Sequence, residues 1–150
     1  MKKHKAEEII QFYKLEPLII EGGYFKEIYR SSTMTHIYYL LKKGQIDRLH
    51  RLKSDEIWHF YSGDPITIID ISPNGKLKKE VMGSSLFEQK NEYLFPKGQW
   101  FGAYLNPESE WALLGCTVSP AFEYADFELG NREQLISQYP ALKDYIIKLT

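Results

Sequence analysis

A histidine and a glutamate six residues apart are the strongest candidates for chemistry in this chain. His50 and Glu56 flank the polar turn Lys53-Ser54-Asp55. The unperturbed pKa of histidine lies near neutrality, so an imidazole can take a proton from a carbon next to a carbonyl group without a metal. A carboxylate on a neighbouring strand can orient the imidazole and stabilise its protonated form. We therefore predict that His50 is a general base and that Glu56 is its orienting or acidic partner.

The strand after the turn decides which other side chains join this pair. If the strand alternates regularly, Glu56 and Trp58 point to one face and His59 points to the other. A β-bulge, or a pocket shared with the outer sheet or a partner subunit, would return His59 to the site. Under that condition His59 is a third catalytic candidate. The alternative is that His50 is purely structural: a buried imidazole whose hydrogen bond to Glu56 satisfies polar groups inside the barrel, with no catalytic role.

Six residues are candidates for contacting a ligand. Arg30 could hold a phosphate or a carboxylate through two parallel hydrogen bonds, but it lies three residues after Glu27, and the two could equally pair on a solvated face. Aromatic side chains offer flat surfaces on which a sugar ring or a base can stack, although aromatic residues in strands also form plain core. The predicted ligand-binding residues are Tyr24, Glu27, Arg30, Trp58, Trp100 and Phe101.

Short β-rich runs separated by glycine, proline, asparagine and serine must position these side chains. So many short strands are typical of a barrel or a jelly roll, which leaves few exposed edges. Amphipathic patterns predict an N-terminal helix over about 5–14 and C-terminal helices over about 131–149, with Asn131 as the N-cap. We therefore predict one domain over 1–150, with its barrel at about 20–128. Pro73 and Asn74-Gly75 predict a hairpin turn over 71–76. The predicted strands are 23–30, 36–41, 57–61, 66–71, 76–82, 93–95, 100–105, 111–118 and 124–128.

Composition excludes several kinds of partner. The 19 basic and 20 acidic side chains give a net charge of −1, which provides no general attraction for nucleic acid or for an anionic membrane. The single cysteine, Cys116, excludes an internal disulfide framework and a zinc site built from several cysteines. The charged N-terminal residues do not resemble a secretory signal, so a cytoplasmic protein is predicted.

The spacing of the residues around His50 resembles the first cupin motif. In that motif a glycine precedes a histidine by six positions, and a glutamate then precedes a second glycine by seven. Gly44, His50, Glu56 and Gly63 fall at these positions. The segment 96–101 is similar to the second motif, in which a Pro-x-Gly turn precedes a histidine. The resemblance implies a mainly β fold, the cupin-type double-stranded β-helix or jelly-roll barrel, with short terminal helices.

Two departures from the cupin pattern concern metal binding. A typical cupin metal site takes three imidazoles and one carboxylate. Leu52 stands at the second histidine position and Phe101 stands at the last, so two of the four ligands are kept. No cofactor is therefore predicted. The alternative is a metal held by His50 and Glu56, completed by His59 and water, as in a metal-dependent enzyme such as a dioxygenase.

The resemblance narrows to a subgroup of small cupins whose activity is unassigned. Its hallmarks lie at 21–30, 54–63, 96–100, 114–120 and 126–130 and extend over residues 15–150. The subgroup is similar in barrel architecture to the sugar-nucleotide 3,5-epimerases, which use a histidine base and an opposing acid without a metal. This similarity implies a metal-independent isomerase or epimerase acting on a carbohydrate-like or sugar-nucleotide substrate. A non-catalytic barrel that binds a small ligand is the second possibility. Cupins often pair their sheet edges, which implies a homodimer.

Overall fold

Two antiparallel β-sheets form the body of the molecule. The structure is a computed structural model that describes residues 4–150. The six-stranded sheet has the order β1 (Glu16–Pro17), β2 (Tyr24–Arg30), β3 (Thr35–Lys42), β10 (Trp111–Ser119), β5 (Asp55–Gly63) and β8 (Glu92–Phe95). The five-stranded sheet has the order β11 (Phe127–Leu129), β4 (Ile46–Leu52), β9 (Trp100–Leu105), β6 (Ile66–Ile71) and β7 (Leu77–Met82). The predicted mainly β fold is confirmed.

The core lies between the facing sheets. Trp58 and Leu114 of the six-stranded sheet pack in one cluster with Ile68 and Phe101 of the five-stranded sheet. The rings of Phe95 and Phe101 stack with centroids 3.9 Å apart. Side chains that alternate along each strand therefore divide into an inner set that fills the barrel and an outer set.

Short helices cover the outer faces of both sheets. Helix α1 (Ala6–Tyr13) packs on a cluster that includes Leu40 and Trp111. Helices α2 (Arg132–Gln138) and α3 (Lys143–Lys148) pack on the outer face of the five-stranded sheet, in a cluster that includes Leu49, Ile69 and Leu135. Within residues 4–150, no helix is long and apolar enough to cross a membrane.

Local signals predicted the N-cap of α2 and the hairpin between β6 and β7 correctly. The Asn131 side chain accepts a hydrogen bond from the backbone N–H of Gln134 at 3.0 Å, as the N-cap of α2. The turn between β6 and β7 closes through a 3.0 Å bond from Ser72 N–H to the Lys76 carbonyl, with Gly75 at φ +84°. Asparagine at an N-cap and glycine at a positive φ are the residue types that these geometries favour.

Strands β1, β4 and β11 differ from the prediction, and the two-residue β1 was not predicted. Strand β4 was missed, because Asp47, Arg48 and Arg51 interrupt its apolar pattern. The run expected at 124–128 begins with a single 3₁₀ turn at Tyr124–Asp126 and becomes a strand only over β11. Residues with low β-propensity can still occupy strands when their side chains have partners in the tertiary structure, and sequence patterns do not show those partners.

Strand β4 is irregular between Asp47 and His50, next to the candidate base. Its pairing with β9 shifts register between Asp47 and His50. Residues three apart on a regular strand point to opposite faces, whereas here both Asp47 and His50 are buried. The Leu49 N–H at this irregularity donates to the Leu149 carbonyl at 2.9 Å, just beyond α3. The bulge therefore allows Asp47 and His50 to share the inner face of the barrel.

Candidate functional site

A cavity of about 270 Å³ opens into the barrel. Most of its lining is aliphatic or aromatic. Its acidic and basic lining side chains are Glu21, Glu27, Arg30, His50 and Glu56. His50 lies on β4 and Glu56 on β5, strands that follow each other in the chain but belong to opposite sheets. The two side chains therefore line the same cavity from its two walls.

The His50 side chain is buried and held in one tautomer. Its Nδ1 lies 2.7 Å from the Arg48 carbonyl oxygen. A carbonyl can only accept, so Nδ1 carries the proton, and in the neutral ring Nε2 carries the free lone pair. The rings of Phe101 and Phe127 lie 4.2 and 5.3 Å from the imidazole. Burial lowers the pKa of His50, although the Glu56 carboxylate partly opposes the shift. His50 is thus a neutral base at neutral pH.

Glu56 is buried opposite the imidazole and hydrogen-bonds Trp58. Its Oε1 accepts from Trp58 Nε1 at 3.0 Å. Burial raises the pKa of Glu56 to about 7, against the opposing effect of His50. The Arg48 carbonyl orients His50, so Glu56 acts on the imidazole through charge and not through a direct hydrogen bond. The expected role of Glu56 as the orienting or acidic partner of His50 stays a prediction, and no direct hydrogen bond between the two side chains supports the orienting role.

The raised pKa of Glu56 predicts that the stability of the fold depends on pH. The pKa of Glu56 is near 4.5 in the unfolded state and about 7 in the folded state. Between these two pH values the folded state therefore binds more protons than the unfolded state. The free energy of unfolding therefore falls as pH rises from about 4.5 to 7, and Glu56 contributes about 3 kcal/mol to this fall. Glu56→Gln should remove this part of the pH dependence in urea unfolding. Glu27→Gln, at the exposed cavity mouth, is the control and should keep it; equal slopes for Glu56→Gln and wild type would contradict the assignment.

Arg30 is committed to protein partners at the cavity mouth. Its Nε and Nη2 donate to the two oxygens of Glu27, each at 3.0 Å. Its Nη1 donates to the Phe122 carbonyl at 2.9 Å and to Glu123 at 3.3 Å. The structure therefore shows the pairing of Glu27 with Arg30 that the sequence left open, and an anionic ligand would have to compete with two carboxylates for Arg30.

His59 lies on the outer face of the six-stranded sheet, away from the cavity. Its Nδ1 is 3.2 Å from Glu92 Oε1, and its Nε2 is 3.1 Å from Thr117 Oγ1. The register of β5 is regular from Asp55 to Phe60 and shifts only after it. No bulge therefore turns His59 inward, and the structure does not bring His59 together with His50.

The remaining ligand-binding candidates do not line the cavity. Trp58 and Phe101 are core residues between the sheets. Trp100 packs in the outer cluster with the C-terminal helices, under the Arg51 guanidinium at 4.4 Å. Tyr24 packs near α1, with Lys42 Nζ 5.3 Å from its ring. Of the predicted residues, the structure brings together His50, Glu56, Glu27 and Arg30.

Two acidic residues of the site were not predicted. Glu21 lines the cavity, and Asp47 is completely buried behind it. Ligand atoms of Glu21, Asp47 and His50 all lie within 4.8 Å of one another. The available signal was an acidic residue next to the Gly22-Gly23 pair and another within the segment that carries His50. The aromatic residues of the mouth, Phe122, Tyr124 and Phe127, were also missed.

The comparisons with known proteins agree with this architecture. A profile of the family described as Cupin superfamily (DUF985) matches residues 7–130. The chain belongs to this cupin family. The cupin is 38% identical to a protein from Shewanella oneidensis of known crystal structure, with TM-score 0.92, 99% of this chain covered and 98% of that one. It is 28% identical to a hypothetical protein from Leishmania major, with TM-score 0.92 and coverage of 98% and 99%.

More distant matches bear on the fold alone. Oxalate decarboxylase from Bacillus subtilis is 18% identical, with TM-score 0.64, and the match covers 93% of the cupin and 38% of that enzyme. No curated protein matches the sequence. The activity of this cupin therefore has to be argued from its own side chains.

The four-ligand metal centre typical of cupins does not fit this chain. The structure places Leu52 in the cavity lining, and the Phe101 ring 4.2 Å from the imidazole. Neither side chain carries a donor atom, so only His50 and Glu56 remain of that ligand set. Glu21, Asp47 and His50 are close enough together for a cation. Because the His50 Nδ1, 3.9 Å from Asp47 Oδ1, donates to the Arg48 carbonyl, Nε2 is the ring nitrogen that is free to bind one.

Proposed function

We propose that this cupin binds a small carbohydrate-like molecule in its barrel and isomerises or epimerises it without a metal. The observation that carries the proposal is the neutral His50 in a mostly apolar cavity, with one nitrogen fixed by a backbone carbonyl and the other free to take a proton. A general base is effective when it is unprotonated at the working pH and positioned before the substrate arrives.

The arrangement of charges suits the transfer of a proton from carbon. When His50 takes the proton, the imidazolium forms in a buried place, where an unpaired charge is costly. The Glu56 carboxylate acts on His50 electrostatically and stabilises the protonated ring. Glu56 would thus lower the free energy of the charged intermediate, which is what a partner of a histidine base must do.

The size of the cavity favours a single ring. About 270 Å³ lies just below the usual range of ligand pockets, roughly 300–1,000 Å³. A monosaccharide-sized ligand matches this volume. A sugar nucleotide would insert only its sugar, and its phosphates would meet Arg30 already paired with Glu27 and Glu123. We therefore favour the free sugar over the sugar nucleotide.

Two other functions have weaker support. The mainly apolar lining favours a barrel that only binds a ligand, and proton exchange would distinguish this second candidate from an enzyme. A metal-dependent enzyme is disfavoured by the side chains of Leu52 and Phe101.

The homodimer and the cytoplasmic location expected from the sequence remain proposals.

A nitrobenzisoxazole tests the proposed base without knowledge of the substrate. A base removes the proton on the ring carbon, the N–O bond breaks, and its electron pair leaves on oxygen as a coloured cyano-nitrophenolate. We expect the cupin to open this ring faster than free imidazole at the same concentration, because the cavity is apolar and the base is preorganised. Turnover no faster than free imidazole, or unchanged after heat denaturation, would contradict the proposal.

Exchange into sugars then separates the enzyme from the binder. Monosaccharides that raise the melting temperature of the cupin are to be incubated with it in deuterium oxide. An isomerase is expected to place deuterium on a carbon of the bound sugar, as measured by mass spectrometry. Binding with no exchange on any carbon would leave the non-catalytic barrel as the function.

A further inference from the structure

Glu21 and Asp47 form a buried pair of carboxyl groups beside His50. A carboxylate oxygen of Glu21 and one of Asp47 lie within 4.8 Å of each other. Asp47 has none of its surface exposed, whereas Glu21 lines the cavity. Two ionised carboxylates repel at this distance, so either a proton or a cation must lie between them.

The backbone holds the two residues together. The Arg48 N–H donates to the Glu21 carbonyl at 2.8 Å, which ties the loop before β2 to β4. A Cβ atom on Gly22 would lie 2.1 Å from the Ile46 carbonyl oxygen, so only glycine allows this approach. Tyr39 Oη lies 2.9 Å from the Gly22 carbonyl and 3.3 Å from Asp47 Oδ1, and bridges the loop and the strand.

Among residues 4–150, no lysine or arginine side chain forms an ion pair with Glu21 or Asp47. Asp47 Oδ2 is buried and has no donor within that range. Arg48 directs its Nη1 to the Ile20 carbonyl, and Arg30 is paired at the mouth. The charge of the pair must therefore be reduced by protonation or by a cation that is not part of the chain.

A proton fits this pair better than a cation does. Burial raises the pKa of Glu21 to about 7. Burial and the charges of Glu21 and Glu56 raise the pKa of Asp47 well above its ordinary value. The His50 Nδ1, 3.9 Å from Asp47, already donates to a carbonyl, so a cation here could take only the Nε2 lone pair, which the proposed base needs for the substrate proton.

We propose that Glu21 and Asp47 share one proton at the inner end of the cavity, and that Glu21 is the acid that works with the His50 base. This inference rests on the proposed function. His50 Nε2 takes a proton from the substrate carbon, and the electron pair of that bond moves to the neighbouring carbonyl. The carbonyl oxygen takes the shared proton from Glu21, whose O–H electron pair stays on the carboxylate. The enediol forms between an imidazolium and two carboxylates. The imidazolium then gives its proton to the former carbonyl carbon, and the hydroxyl on the neighbouring carbon gives its proton to Glu21, so the carbonyl moves by one carbon and both groups return to their starting states.

Carboxyl-carbon NMR tests the shared proton directly. The titratable groups that face the pair are Tyr39 on β3, His50 on β4, Glu56 on β5 and Cys116 on β10. In wild type, the Glu21 and Asp47 resonances should titrate together near neutral pH. Asp47→Asn should move the Glu21 titration to lower pH, because an amide N–H can donate to the carboxylate at every pH.

Glu27→Gln is the matched control for this titration, because Glu27 also lines the cavity but pairs with Arg30. It should leave the Glu21 resonance unchanged. A Glu21 titration at the same pH in wild type and Asp47→Asn would overturn the proposal. Binding of one Mn²⁺ or Zn²⁺ per chain that Asp47→Asn abolishes would overturn it as well, because a cation would then take the place of the proton.

The role of Glu21 as an acid is tested by the pH profile of nitrobenzisoxazole opening. The rate should fall at low pH as His50 is protonated and at high pH as the shared proton is lost. Glu21→Gln should lose the alkaline fall and keep the acid one. An alkaline fall that persists in Glu21→Gln would overturn the role of Glu21. If wild type does not turn over the probe, the proposed function fails, and the NMR titration still decides whether the proton is shared.

Discussion

Replacing His50 with glutamine is expected to lower kcat/KM for the nitrobenzisoxazole by about 100-fold or more, the usual contribution of a general base. Glutamine is close in size and its amide N–H can still donate to the Arg48 carbonyl, but it cannot take a proton at neutral pH. The measurement is the initial rate of phenolate absorbance. In wild type, the acid fall of the rate should lie below the ordinary histidine pKa, because burial lowers the pKa of His50.

His36→Gln is the matched control for the His50 substitution. His36 lies on the outer face of the barrel, where its Nδ1 is 2.8 Å from Thr117 Oγ1, and its replacement should leave the rate unchanged. Both variants should unfold at urea concentrations close to that of wild type. If His50→Gln and His36→Gln retain similar rates, the base is another group and the proposed mechanism is wrong.

Replacing Gly22 with alanine should cost about 3 kcal/mol or more of folding free energy. The new Cβ would lie 2.1 Å from the Ile46 carbonyl oxygen, a backbone atom that cannot move aside without shifting β4. Gly22 also has a φ of +104°, which a residue with a Cβ adopts only with strain. Urea unfolding at one pH measures the loss.

Gly44→Ala separates backbone strain from the clash. Gly44 also has a positive φ, +82°, but a Cβ atom there would meet nothing within 4 Å. Its replacement should therefore cost only the strain, about 1 kcal/mol. Equal losses for the two variants would show that the contact between the Gly22 loop and β4 is not tight, and would weaken the geometric basis of the Glu21–Asp47 pair.

Local patterns predicted most of the fold. Strand propensity, turn residues and an N-cap act within a few residues, so they are visible in the sequence, and the Asn131 cap and the hairpin at Gly75 were predicted from them. Regular alternation also placed Glu56 and Trp58 on the face opposite His59. These features depend on backbone geometry that each segment carries with it.

The site was only partly predictable, because its geometry depends on contacts between distant segments. Asp47 shares a face with His50 only because β4 is irregular, and the sequence pattern does not reveal that bulge. Glu21 meets Asp47 because a loop approaches β4 within backbone hydrogen-bond distance. The aromatic candidates Trp58 and Trp100 were predicted to contact a ligand, but aromatic side chains at strand spacing also suit the core, where the structure places them.

The bond between Leu49 and Leu149 links the proposed base to a distant part of the chain. The irregular stretch of β4 leaves the Leu49 amide without a partner on β9, and the Leu149 carbonyl beyond α3 accepts from it instead. A short surface helix opens more readily than a central sheet. Transient fraying of α3 would therefore loosen the imidazole while the two sheets stay intact, so this cupin would lose its working geometry on warming before it unfolds.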